Sequence, residues 1–172
     1  MMRPFARLLL LLPLLLAGCG YHLAGSGEGS GAVPADVQTL SLQMQGADPA
    51  GLLPELKRSI GKAHTNYRLV GNDAVVASDT HARLFLQGVA EAFTPSAYDA
   101  TGIAVQYRLT ISATLQLYRH GEQIWNSGPI HVSGDVYVSG GPVSIEASRQ
   151  QLRRDLRGEW VRIAMSRLRS GF

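Results

Sequence analysis

Residues 105–118 alternate in strict period two. Val105, Tyr107, Leu109, Ile111, Ala113, Leu115 and Leu117 fall on one side, and Gln106, Arg108, Thr110, Ser112, Thr114, Gln116 and Tyr118 on the other. So long an alternation in phase is a half-buried strand, with one face on a core and one on something wet. His120-Gly121 is a tight-turn signal. After it, Ile130, Val132, Val136 and Val138 alternate with His131, Ser133, Asp135 and Tyr137. Gly128-Pro129 predicts a bulge in this strand or a place near a sheet edge. Upstream, a strand runs from Ala82 through Leu84, Phe85, Leu86 and Val89 to Phe93 and ends at Thr94-Pro95-Ser96. Three consecutive strands with short connections form an antiparallel meander.

The flanking segments complete the pattern. Val37 to Met44 alternates as a first strand. Asp48-Pro49 reads as a helix start, an N-cap oxygen followed by a proline whose missing N–H costs nothing at the first position. Leu52, Leu53, Leu56, Ile60 and Ala63 then form one apolar stripe, with the helix ending near His64-Thr65-Asn66. Tyr67 to Val70 is a short apolar segment stopped by Gly71-Asn72-Asp73, and residues 74–81 read as a loop. After Gly140-Gly141-Pro142, Ser144 is placed to cap a last helix whose core stripe is Ile145, Leu152, Leu156, Trp160, Ile163, Ala164 and Leu168. The order predicts an α+β fold: an antiparallel-rich four-stranded sheet with two helices packed on one face.

The N-terminus has a different logic. Arg3 and Arg7 precede an apolar run, Leu8 to Leu16, broken only by Pro13, which is the layout of a secretory signal. The run falls short of the ~20 residues a membrane-spanning helix needs. Leu16-Ala17-Gly18-Cys19 resembles the bacterial lipobox, which makes Cys19 the acylated first mature residue. Gly20, rather than an Asp that would retain the protein at the inner membrane, favours the outer membrane. The expected organisation is a signal peptide over 1–18, a lipidated Gly/Ser tether over 19–35 and one domain over 36–172.

Charge and chemistry narrow the function. Two of the formal +3 charges, Arg3 and Arg7, belong to the signal, so the mature chain is close to neutral and no nucleic-acid partner is expected. With Cys19 committed to a thioether, no disulfide can form. His22, His64, His81, His120 and His131 are scattered without metal-ligand spacing, and no nucleophile elbow is present. Glu91 and Asp135 could meet across the sheet, but as a pair on an exposed face they read as solubilising. The expectation is a non-enzyme without metal or cofactor. The one basic feature is the last helix, whose outer side gathers Arg149, Arg153, Arg154, Arg157, Arg162, Arg167 and Arg169 against Glu146, Asp155 and Glu159.

At Cys19-Gly20-Tyr21-His22-Leu23, at Gly46 to Leu53, along Val105 to Leu117 and through the Arg- and Leu-bearing last helix, the chain resembles the LPS-assembly lipoprotein family LptE of Gram-negative bacteria. The resemblance implies a lipoprotein anchored on the periplasmic side of the outer membrane. It also implies a domain that plugs an LptD-like outer-membrane β-barrel, the pair inserting lipopolysaccharide into the outer leaflet. The basic loop residues assigned to lipopolysaccharide in that family have no counterpart here, since Thr94 to Ala104 and Ser139 to Ile145 lack Lys and Arg. Arg149 and Arg153, at the head of the last helix, are the candidates to contact the lipid phosphates instead. The alternative reading is a free-standing outer-membrane lipoprotein that binds a periplasmic ligand or peptidoglycan.

Overall fold

The structure, a computed structural model, describes residues 31–71, 79–138 and 142–172. Cys19, Gly20 and the signal segment lie outside the described residues. The elements run β1 (Thr39–Gln45), α1 (Leu52–Lys62), β2 (Arg68–Val70), β3 (His81–Tyr98), β4 (Ala104–Arg119), β5 (Glu122–Tyr137) and α2 (Pro142–Ser170). Among the described residues no helix is long and apolar enough to cross a membrane.

The sheet has five strands in the order β2-β1-β3-β4-β5, not the expected four. The added strand is the Arg68–Val70 segment, too short to show an alternation of its own, which pairs parallel to β1. β1 is parallel to β3 as well, so an antiparallel meander of β3, β4 and β5 continues into a parallel edge. Each parallel step needs a crossover, and α1 supplies the one between β1 and β2.

Helix α1 starts three residues later than the Asp48-Pro49 signal indicated. Gly51, at φ 68° and ψ 38°, occupies the N-cap position. Asp48 still caps the helix: its carboxylate accepts from Leu52 N at 2.8 Å and Leu53 N at 2.9 Å. The tight turn closed by Gly51 N donating to Asp48 O brings that carboxylate over the helix start. Helix α2 likewise starts earlier than its expected cap, at Pro142, so Ser144 lies inside the first turn.

Both outer strands of the meander contain a bulge. In β5, Thr114 pairs with Pro129 but Gln116 with Asn126, so an extra residue sits at Ser127-Gly128, with Gly128 at φ 65°. In β3 the register slips between Gln87 and Ala90 around Gly88, at φ 61°. Before this bulge Ala82, Leu84 and Leu86 point inward; after it Val89, Glu91 and Phe93 do. β3 also continues through Thr94-Pro95-Ser96, its expected end. Beyond Gln87 only β4 lies beside it, so the proline sits on an edge, where a missing N–H is tolerated.

One cluster holds the core. Leu40 and Leu42 of β1, Leu84 and Leu86 of β3, and alternate residues from Leu109 to Leu117 of β4 meet Leu52, Leu56 and Ile60 of α1 and Leu156, Trp160 and Leu168 of α2. Trp160 is fully buried and donates from Nε1 to Ile130 O at 3.2 Å. The two helices come so close at α1's start that a Cβ on Gly51 would stand 3.3 Å from Arg157 Cζ.

Candidate functional site

The strands give the molecule a long axis. Sixteen residues of β4 span about 50 Å. At one end the N-terminal segment docks: Ala32 N donates to Leu168 O at 2.9 Å, and Gly31 lies against the Leu168 and Arg169 carbonyls. Residues 31–35, the last of the expected tether, are thus held against the C-terminal end of α2. Arg119, at the end of β4, forks onto Asp36 through Nη1 and Nη2 and also donates to Asp79 O. That ion-paired hydrogen bond holds the exposed Asp36 carboxyl below its ordinary range.

The opposite end is a hairpin tip. Asp99 organises it by accepting from Thr101 Oγ1 at 2.7 Å, Ile103 N at 2.9 Å and Thr101 N at 2.8 Å, and these bonds, the hydroxyl's first, keep its carboxyl acidic. Around this tip stand Tyr98, Ile103, Val105, Tyr137 and Val143, all large apolar side chains left exposed. The hairpin pairs Tyr98 with Ala104, and β5 brings Tyr137 opposite Gln106. Chain entry and apolar tip therefore lie at opposite ends of the sheet.

Between these ends the arginines of α2 divide into groups by what they touch. Arg149 and Arg153 both donate through Nη2 to Glu91 Oε1, the first at 3.1 Å. Glu91 is only 6% exposed at its side chain, and the two arginines keep 30% and 27%. Arg149 also lies over the Phe93 ring, 4.8 Å from its centre, and Phe93 stacks on Tyr107 at 4.9 Å. Glu91 Oε2 and the Nε atoms of Arg149 and Arg153 have no protein partner among the described residues. Arg167 donates to the Ser127 and Pro129 carbonyls beside the β5 bulge, and Arg169 to Met165 O. Much of the basic face is thus engaged inside the fold, while Arg154 and Arg162 stay exposed.

Glu91 and Asp135 do not meet. The bulge at Gly88 turns Glu91 to the helix side, opposite Ile111, whereas Asp135 faces the other way, opposite Arg108. Arg108 Nε and Nη2 fork onto the Asp135 oxygens at 2.9 and 3.1 Å, which holds that carboxyl low and the guanidinium high. The pair sits among Gln106, Thr110, Ser112 and Thr114 on the polar face of the sheet.

The strongest nucleophile-like arrangement is also inert. His81 Nδ1 lies 2.9 Å from Thr39 Oγ1 and Nε2 lies 3.3 Å from Ser41 Oγ, but Ser41 is 2% exposed and cannot meet a substrate. Burial, helped by the Arg83 charge, depresses the His81 pKa. Its folded value thus falls below the unfolded ~6.5. Stability from this group is complete above that value and is lost as pH falls through the folded one. A proton-detected titration of His81 should give a midpoint below that of a free imidazole, ~6.5; an unshifted midpoint would contradict this placement. Among the described residues no group of His, Cys, Asp or Glu could hold a metal ion.

Comparison with known proteins follows the same lines. The family model described as LptE, Lipopolysaccharide-assembly, matches residues 37–168. Among solved structures, lipoprotein B from Nitrosomonas europaea, described as uncharacterized, aligns with a TM-score of 0.62 at 15% identity, covering 79% of this chain and 84% of that one. The rare lipoprotein B from Shewanella oneidensis aligns at 0.58 and 18% identity, covering 75% and 92% respectively. A minor lipoprotein from Acinetobacter baumannii gives 0.58 at 12% identity, covering 78% and 92%. At these identities the structures establish a shared fold. No curated protein matches by sequence.

Proposed function

The chain belongs to the LptE lipopolysaccharide-assembly family, and from that premise we propose that it is a non-enzymatic outer-membrane lipoprotein that plugs an LptD-like β-barrel. In this reading Cys19 carries the lipid that anchors it to the periplasmic leaflet, and the pair delivers lipopolysaccharide to the outer leaflet.

The observation that carries the reading is the molecule's length, with the chain entry, where Ile124 and Phe172 are exposed, at one end and the Tyr98–Ile103 tip at the other. Sixteen residues of β4 span about 50 Å, more than the ~30 Å of a bilayer's hydrocarbon. A domain tethered at one end can therefore present its apolar tip beyond the far side of a membrane-embedded barrel. The lumen of such a barrel is polar. The Gln106–Thr114 face, with its neutral Arg108–Asp135 pair, suits that surrounding, because no bare charge is desolvated by enclosure. Affinity purification of the full-length lipoprotein from detergent-solubilised membranes should recover a heat-modifiable barrel protein in equal amount. Recovery of the lipoprotein alone would overturn the plug and leave the free-standing alternative.

Within this function Arg149 and Arg153 contact lipopolysaccharide phosphates. Each places Nη2 on Glu91 and keeps about a third of its side chain exposed, with Arg149 Nη1 also 3.6 Å from Glu146 Oε2. Replacing Glu91, Arg149 and Arg153 together by Gln removes two guanidiniums while leaving no uncompensated buried charge. Lipopolysaccharide binding by the full-length protein in detergent should then weaken about tenfold, the loss of one or two charge-assisted hydrogen bonds. Undiminished binding would assign the arginines to packing alone.

A further inference from the structure

We propose that the upper edge of β5 is a strand-addition site, completed by an extended basic segment of the barrel partner lying as a sixth strand beneath the head of α2. This rests on the plug reading.

The edge is half closed by the protein itself. Val138 N donates to Val105 O at 2.9 Å, which sets the antiparallel alternation for the residues before it. Even-numbered residues of upper β5 bond to β4, and His131, Ser133, Asp135 and Tyr137 turn their N–H and C=O groups to the free side. Lower on the strand, Arg167 of α2 takes up the carbonyls of Ser127 and Pro129. Pro129 has no N–H to leave unpaired. Above Ile130 this cover stops. No hydrogen bond reaches the eight outward backbone groups among the described residues.

A groove of ≈ 500 Å³ runs alongside this open half, between Val136 and Tyr137 of β5 and Ser148, Gln151, Leu152 and Asp155 of α2. Its shape and chemistry select an extended chain. In water the eight groups are hydrated, but enclosed in a barrel they lose that hydration, and each unmade bond costs about 1–3 kcal/mol. Only another backbone matches their spacing. Leu152 already fills the space over Gly134, where a Cβ would meet its Cδ1 at 2.7 Å. The added strand must therefore turn small side chains toward α2. Asp155 accepts from Gln151 and has no ion pair among the described residues, so a Lys or Arg of the incoming segment is its complement. β3 offers no equal site, because Gly88 and Pro95 interrupt its free edge.

Hydrogen exchange of the full-length lipoprotein in detergent, alone and in the barrel complex purified from outer membranes, tests this residue by residue. The His131, Ser133, Asp135 and Tyr137 amides should exchange freely alone and slow by about tenfold or more in the complex. The comparison is the free edge of β3, which is enclosed equally but left unpaired. Ser133→Pro removes an outward N–H, leaves the β4 ladder intact and should reduce barrel recovery, while Ser133→Ala should not. A complex in which these amides exchange as before would overturn strand addition and leave the plug standing. Failure to recover any barrel would instead defeat the plug. Slow exchange in the lipoprotein alone, with a second copy on the edge, would overturn the assignment to the partner.

Discussion

Glu91→Ala is expected to destabilise the domain by about 2–4 kcal/mol, far more than the loss of a surface ion pair. The carboxylate is 6% exposed and receives both Arg149 and Arg153. Truncation leaves two like charges facing each other in a partly desolvated site, with Arg149 still pinned over Phe93. The partial exposure of the arginines lets water soften the penalty, which places the figure below that of a wholly buried pair. Urea unfolding would read the loss as a lower midpoint with an unchanged slope. A shift worth under about 0.5 kcal/mol would mean that the arginines relax to solvent at no cost. Replacing all three by apolar residues of similar size should recover most of the stability, because desolvation and attraction vanish together. That recovery separates a charge-compensation role from simple packing.

Trp160→Ala should cost more, about 3–5 kcal/mol. The side chain is fully buried in the common cluster and also donates to Ile130 O just above the β5 bulge. Truncation opens a cavity between α2 and the sheet and removes the indole bond to the Ile130 carbonyl. Trp160→Phe keeps most of the volume and gives up the hydrogen bond, so its cost should stay near 1 kcal/mol. Calorimetry of the pair apportions the effect between packing and the bond. Equal losses for both variants would assign the whole effect to the indole N–H.

Much of the fold is written locally. The alternation from Val105 to Leu117 reads directly as β4, because seven in-phase steps fit no helix and steric geometry imposes period two on any strand. The stripe Leu52, Leu56, Ile60 marks the buried face of α1 for the same kind of reason. Gly128-Pro129 signals both the bulge and the edge of β5, since the missing N–H restricts where such a residue can pair. β2 escapes this reading because three residues hold too little periodicity to distinguish a strand from a loop. Its parallel pairing with β1 depends on the α1 crossover and leaves no trace in either segment.

Glu91 is the instructive case. In β3 the apolar positions fall at Leu84 and Leu86, then at Val89 and Phe93, so the phase changes across Gly88. That phase change is the only signal in the chain that Glu91 faces inward. Taken as one uninterrupted strand, the segment puts Glu91 on the wet face beside Asp135; with the bulge it meets Arg149, 58 residues away.

The sequence by itself thus determined four of the strands, both helices and most of their amphipathic faces, because each depends on neighbours within a few residues. Only the tertiary structure decided which arginines of α2 are consumed and which backbone groups of β5 stay open. Those outcomes turn on one glycine's register slip and on where a 29-residue helix comes to rest across the sheet. Contacts between segments far apart in the chain are set by how the faces pack together, and no periodicity along one segment can encode its distant partner.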